Sequence, residues 1–248
     1  MREILKGIFY IIKLPQFFFQ LIKFSNFSLS EILKIKILPK LFYNKKKHPF
    51  DAHYLYHTAW ASRILDKMKP EILHDFGSDL RFVTISSANT KIIHHNIQKP
   101  NINLENLEFK NTDLTDMQDI KNSSINFLSC MHVVEHIGLG RYGDNLDKDG
   151  SIKAINEIKR VLNYSGNLIF VVPVGKKNIY FNAHRVFSYD QIIEYFNELE
   201  LIEFSLVDDD GYNTGLKINA DPSLVSQNNY ACGCFWFRKK ALTNESKK

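Results

Sequence analysis

Hydrophobic and polar positions change rhythm twice along the chain. Over residues 1–24, Lys6, Lys13 and Gln20 recur at seven-residue steps, with Gln16 and Lys23 beside that stripe. Apolar residues (Ile4, Ile8, Ile11, Phe17, Phe18, Leu21 among them) cover the remaining surface. The pattern predicts two short amphipathic helices joined at Pro15, because a proline inside a helix removes a backbone donor. Residues 48–54 (His48-Pro49-Phe50-Asp51-Ala52-His53-Tyr54) are turn-rich, polar and aromatic. Tyr54–Met68 then has helical spacing, with Trp60, Ile64 and Leu65 inward.

From Glu71 onward, strand-like runs alternate with helical ones. Glu71–Phe76 is a short apolar strand ending at Gly77-Ser78, and Leu80–Ser87 reads as a short helix. Lys91–His95, Leu107–Lys110 and Ser124–Cys130 are the next three strands. Ser151–Asn163 is an amphipathic helix closed by Tyr164-Ser165-Gly166, and Asn167–Val172 is a fully apolar fifth strand. Ser188 is an N-cap for a helix over Tyr189–Asn197, and Leu199–Val207 and Ala231–Arg238 are the last strands. The expected fold is α/β, a Rossmann-like doubly wound seven-stranded sheet with an N-terminal amphipathic helical extension. Residues 1–50 form the extension and residues 51–248 the α/β domain. Such sheets take ligands at the carboxyl ends of their strands, which selects the loops that matter.

Charge sharpens this division. Residues 1–50 hold ten basic and two acidic side chains, +8, which leaves −3 for the remainder of a chain of net charge +5. A mildly acidic body lacks the basic face that nucleic-acid binding needs. The longest uncharged run near the N-terminus, Leu14–Ile22, is nine residues, against about 20 for a spanning helix. Lys13 interrupts the apolar region and no small-x-small site follows, so a cleaved signal peptide is not expected. Two readings of the extension stand. It lies in a membrane interface, drawn there also by Lys34, Lys36, Lys40 and Lys45-Lys46-Lys47, or it packs on the body or a second subunit. The expected location is the cytoplasm, with peripheral attachment to the inner face of the cytoplasmic membrane. Three cysteines, Cys130, Cys232 and Cys234, suit a reducing compartment. No second Cys/His pair repeats the Cys232/Cys234 spacing, so these read as small residues of a buried strand and no metal is expected.

The fourth strand runs into Cys130-Met131-His132-Val133-Val134-Glu135-His136-Ile137-Gly138. His132 and His136 are four apart and share a face if the segment is helical. Glu135 lies between them, and His184 arrives from the loop after strand five. Histidines here suit general-base work near neutral pH; a divalent metal is the competing use, although the order differs from the His-Glu-x-x-His of zinc proteases. Glycines 138, 140 and 143 allow unusual backbone after this strand, and Arg141 is placed to clamp a phosphate or carboxylate. Asn145-x-Asp147-x-Asp149-Gly150 imitates a calcium loop, but its twelfth position is Asn156 rather than an acid.

Two longer resemblances rest on these residues. Val133-Val134-Glu135-His136-Ile137, then Glu157–Leu162, then Gly166–Pro173, then His184–Ser188, together resemble the class I S-adenosylmethionine-dependent methyltransferases, over roughly residues 58–240. More closely, His53-Tyr54, Trp60, Asp75-x-Gly77-Ser78, Ser129–Asp144, Pro173–Gly175 and Phe181–Arg185 resemble a group within that fold known as domain-of-unknown-function family 268. The resemblance implies His132, Glu135 and His136 as catalytic residues. It implies Arg141, Tyr142, Asp144, His184, Arg185 and His53 on the substrate, and Asp75, Gly77, Ser78, Asn96 and Asp113 around the cofactor. Asp113 matches the acid expected near the adenine; no second glycine follows Gly77, and Asn96 stands where an acid would hold the ribose. The implied activity is S-adenosylmethionine-dependent methylation of a sugar or lipid-linked glycan intermediate in bacterial surface-polysaccharide biosynthesis. The alternative is a methyltransferase fold that has lost its cofactor and serves as another glycan-assembly enzyme or a membrane-docked partner.

Overall fold

A computed structural model describes residues 2–38, 48 and 50–241. The chain divides into two units, Met1–Pro49 and Phe50–Lys248. In the first, helix α1 (Arg2–Phe24) runs through Pro15 without a break, so the expected pair of helices is one. Proline removes one backbone donor, and the helix continues past that loss. Asn26 and Phe27 adopt left-handed φ of 50° and 59° in the turn that follows. Ser28 then caps α2 (Leu29–Ile32) through the Glu31 N–H. Phe18, Phe19, Ile22 and Phe24 are exposed. No helix among the described residues is long and apolar enough to cross a membrane. Lys40 and Lys45 to Lys47 of the expected polybasic stretch lie outside the described residues.

The second unit begins with α3 (Ala52–Met68), capped by Asp51. The chain then alternates β1 (Ile72–Phe76), α4 (Leu80–Ser86), β2 (Lys91–Asn96), β3 (Leu107–Asn111), β4 (Ile125–Met131), α5 (Gly150–Val161) and β5 (Leu162–Val174). It continues through a hairpin, β6 (Asn178–Tyr180) and β7 (His184–Val186), then α6 (Tyr189–Tyr195), β8 (Leu199–Val207), α7 (Gly211–Thr214), β9 (Leu216–Lys217), a 3-10 turn (Pro222–Gln227) and β10 (Ala231–Lys239). The sheet order is β3-β2-β1-β4-β5-β10-β8-β9. The strands β1 to β5 are parallel, and β10 is antiparallel to both neighbours. The expected seven strands are all present; the eighth, β9, is two residues long.

Alternation along the strands builds a core on each face. Leu168, Phe170, Val172, Phe235 and Phe237 face α5 and α6, meeting Ile155, Ile158 and Ile192. Ile169, Val171, Cys232, Cys234 and Trp236 face α3 and α4, meeting Trp60, Ile64, Phe82 and Val83. Each large apolar side chain so buried contributes about 1.5–3 kcal/mol relative to exposure. The polar ends of the tryptophans are satisfied: Trp60 donates to Glu203 at 2.7 Å and Trp236 to Asn167 at 2.9 Å.

Tyr164-Ser165-Gly166 does not close a helix as expected. Helix α5 stops at Val161, and residues 163–166 form an irregularity within β5, between the pairs Ile125↔Leu162 and Phe127↔Asn167. A side chain at Gly166 would begin 2.7 Å from the Asn163 carbonyl, so glycine is required there. Ser188 caps α6 as expected and forms a full capping box with Gln191. Ser188→Ala should cost about 1 kcal/mol of stability, read as a lower urea midpoint with an unchanged slope; an unchanged midpoint would show that the box contributes nothing.

Candidate functional site

The order β3-β2-β1-β4-β5 reverses direction between β1 and β4, and the loops leaving those two strands form the site. Asp75, fully buried near the end of β1, ties three strands together. One carboxylate oxygen accepts from the Ser78 N–H at 3.1 Å and from His94 Nδ1 of β2 at 2.7 Å. The other accepts from the Ser129 hydroxyl of β4 at 2.5 Å. Ser78 Oγ accepts in turn from the Met131 N–H at 3.2 Å. Gly77 turns with φ of 73°, and a side chain there would begin 3.2 Å from the methyl groups of Val133.

Of the other expected cofactor residues, Asn96 ends β2 and its side-chain oxygen accepts from the Gln98 N–H at 3.3 Å. Asp113 is exposed beyond β3, and one of its oxygens takes both the N–H and the hydroxyl of Thr115. Between these positions His95 stacks on Phe76 at 4.4 Å and bonds His74 at 3.1 Å and the Thr112 hydroxyl at 2.9 Å.

After β4 the chain makes turns rather than a helix, so His132 and His136 do not share a helical face as expected. They flank Glu135 instead. His132 adopts a left-handed φ of 56°. Its Nδ1 lies 2.8 Å from Glu135 Oε1 and its Nε2 lies 3.4 Å from the Cys232 sulfur. Burial opposes charge on this imidazole, while the Cys232 sulfur and then the Glu135 carboxylate favour it, and the net direction is upward. Burial also pushes the Cys232 thiol well up, which holds it neutral. A neutral sulfur supplies no charge, so the upward direction at His132 rests on Glu135. The second Glu135 oxygen is buried with no hydrogen-bond partner.

His136 Nδ1 lies 2.6 Å from the Ala183 carbonyl. A carbonyl only accepts, so Nδ1 carries the proton and, in the neutral ring, Nε2 carries the lone pair. That Nε2 lies 3.7 Å from Glu135 Oε1, and the side chain is 12% exposed.

The glycine-rich loop is locked from within. Asp144 accepts from the Gly138, Gly140 and Tyr142 N–H groups. A side chain at Gly138 would begin 1.9 Å from the Asp147 carbonyl. Arg185 is buried and donates to the carbonyls of Ile137, Asp147 and Lys148. Asp144 and Arg185, both expected on the substrate, are thus committed to holding the loop. Arg141 and Tyr142 are exposed at its tip. The Arg141 guanidinium donates to the Ala183 carbonyl at 3.2 Å and stands over the Tyr142 ring.

Rings from distant segments complete the site. His184, Tyr230, His53 and His132 follow one another at centroid distances of 4.6, 5.2 and 5.9 Å, and Tyr54 stacks on His132 at 5.4 Å. Asp51, His53, Tyr54, Asp209 and Tyr230 line a cavity of about 290 Å³. A larger one of about 360 Å³, lined by Lys69, Pro70 and Asn89 among others, adjoins the start of β1 and holds no histidine or cysteine. Burial, then His132, brings His53 down to about 4. Burial, then Glu135, pushes Tyr54 up to about 12, and burial does the same at Tyr230. Sequence reasoning did not assign Tyr54, Tyr230, Cys232 or His57, whose ring meets that of His132 edge-on at 5.0 Å, to the site. The signal for Cys232 is the antiparallel register of β10, which sets it opposite Pro173 at the end of β5.

Residues 80–218, more than half of the chain, match the family described as "Caenorhabditis protein of unknown function, DUF268". No curated protein matches the sequence. Among solved structures the fold is similar to the Burkholderia thailandensis 1,6-didemethyltoxoflavin-N1-methyltransferase with bound 1,6-didemethyltoxoflavin and S-adenosylhomocysteine. The identity is 12%, the TM-score 0.51, and 74% of this chain and 78% of that chain are covered. It is similar to the N-methyltransferase NodS of Bradyrhizobium japonicum in complex with S-adenosylhomocysteine, with 12% identity, TM-score 0.51, and 74% and 85% covered. It is also similar to the [4+2]-cyclase SpnF, with 13% identity, TM-score 0.51, and 73% and 82% covered. These likenesses establish the class I methyltransferase fold.

The histidine pair between β1 and β2 makes stability depend on pH. Burial and then Lys110 lower His74 from 6.5 to about 4, and burial and then His74 lower His95 to about 3. Both are neutral in the fold and take up protons on unfolding. Their contribution is complete above about pH 6.5 and is lost as pH falls toward the folded values. The urea midpoint should therefore drop between pH 7 and pH 5, and drop less in His95→Gln; an identical drop in that variant would remove the pair as its cause.

Proposed function

The chain belongs to the DUF268 family and has a class I methyltransferase fold, and from there we propose that it acts on a hydroxyl group of a sugar or glycan intermediate in surface-polysaccharide biosynthesis, with His136 taking the proton. The observation that carries this is the His136 tautomer. Its Nδ1–H is fixed on the Ala183 carbonyl, which leaves the Nε2 lone pair to take a proton, and the buried Glu135 carboxylate, 3.7 Å from that same Nε2, stabilises the imidazolium once it forms. A positioned base of this kind contributes about 10²–10⁴-fold in rate. His184, Tyr230, His53 and the exposed Arg141 offer rings and a cation suited to a polyhydroxylated or anionic acceptor.

Methyl transfer from S-adenosylmethionine is the reaction the fold suggests, since two similar proteins hold the demethylated cofactor. At the nucleoside end Asn96, which closes β2, and the exposed Asp113, just past β3, support this reading. At the methionine end the residues do not fit. Both Asp75 oxygens are taken, the Ser78 hydroxyl holds the Met131 N–H, and Val133 covers Gly77. That observation favours a second reading, in which the fold has lost this cofactor and the site serves another glycan-assembly step or a membrane-docked partner. The exposed phenylalanines of α1 support docking on the cytoplasmic face of a membrane.

In cells, His136→Gln should reduce the glycan modification by about a hundredfold or more while leaving thermal unfolding unchanged. A wild-type glycan in that variant would refute the assignment. Isothermal titration with S-adenosylmethionine separates the two readings: binding at millimolar cofactor or below supports methyl transfer, and its absence supports the cofactor-free reading. Deleting residues 1–47 should abolish co-sedimentation with anionic vesicles, and unchanged sedimentation would assign the extension to protein packing.

A further inference from the structure

We propose that His53, His132 and Cys232 form a binding site for a single divalent metal ion of the zinc class, with its open position facing the cavity lined by Asp51, Tyr54 and Asp209. Three segments far apart in sequence converge there: the first turn of α3, the turn after β4 and the start of β10. Among the described residues these three alone bring one ligand atom each to within 4.8 Å of one another. A four-coordinate zinc with Zn–S of about 2.3 Å and Zn–N of about 2.0–2.1 Å separates the two ligand atoms by about 3.5 Å. The Cys232 sulfur and His132 Nε2 are 3.4 Å apart. His53, half-buried at the edge of the cavity and stacked between Tyr230 and His132, brings its ligand atom within 4.8 Å of both others.

Two further observations point to a cation. His132 presents Nε2 to the site while its Nδ1 is held by Glu135 at 2.8 Å, the carboxylate–histidine arrangement that orients metal-bound imidazoles. The second Glu135 oxygen is buried without a hydrogen-bond partner, so the carboxylate beside His132 is under-satisfied and a cation beyond the imidazole would add to its stabilisation. Three protein ligands beside a cavity of about 290 Å³ are the composition of a site that keeps one position for water or substrate rather than a closed structural one. On binding, the protons carried by the Cys232 sulfur and by His132 Nε2 leave for solvent, and sulfur and both nitrogens donate their pairs to the metal. Its readout needs no activity assay, so it stands or falls apart from the glycan reading.

Chelator-treated full chain should be titrated with Co²⁺ and followed by absorbance. The expected result is one equivalent bound, with a thiolate-to-cobalt charge-transfer band and the visible bands of four-coordinate cobalt. Cys232→Ser should abolish the charge-transfer band. His53→Ala, at a half-buried surface position, should weaken binding at least about tenfold with unchanged circular dichroism, and Glu135→Gln should weaken it roughly 10–100-fold. Absence of the charge-transfer band in the wild-type chain overturns the site. So does unchanged affinity in His53→Ala, which would place the ion on Cys232 and Cys234 instead.

Discussion

The carboxyl edge of the sheet depends on one buried carboxylate. Asp75 sits at the strand where the sheet reverses its winding, and its two oxygens hold β2 through His94, β4 through Ser129 and its own turn through Ser78. A fully buried carboxylate survives only when its lone pairs are met by good donors. Once they are, the ends of three parallel strands are fixed relative to one another. The positions of Gly77, Val133, His132 and Glu135 follow from that anchoring. The same three bonds give the sheet a rigid edge at the point where its winding reverses.

The fold was legible because its signals are local and repeated. The stretch Leu168–Val174 of β5 reads as uninterrupted apolar sequence since both its faces are covered, and α5 carries one apolar stripe since only one of its faces is. Ser188 announced α6 because capping is a matter of a few neighbouring residues. Single residues mislead where the surrounding structure overrides them: Pro15 predicts a break but lies inside one helix, and Gly166 predicts a helix end but lies in an irregularity inside a strand.

The candidate site was legible only in part. His132, Glu135, His136 and His184 stand out because they follow the strands whose ends face the site. Their mutual geometry was not, because His132 enters a left-handed conformation that no local pattern announces. Cys232 and Tyr230 arrive through an antiparallel strand whose register depends on pairing with β5 across more than fifty residues of intervening chain. Arg185 looked like a ligand for substrate. The carbonyls it serves belong to a loop whose path emerges only in three dimensions.

The two ends of the sheet carry a separate consequence. An open sheet leaves a row of unpaired backbone groups on each outer strand, a template for joining another copy edge to edge. Here one outer strand, β9, is only two residues long, and its Lys217 is paired with Asp208. The other, β3, presents Glu108 and Lys110 to solvent on a five-residue strand. Brevity at one border and charge at the other make edge-to-edge growth of the sheet unfavourable.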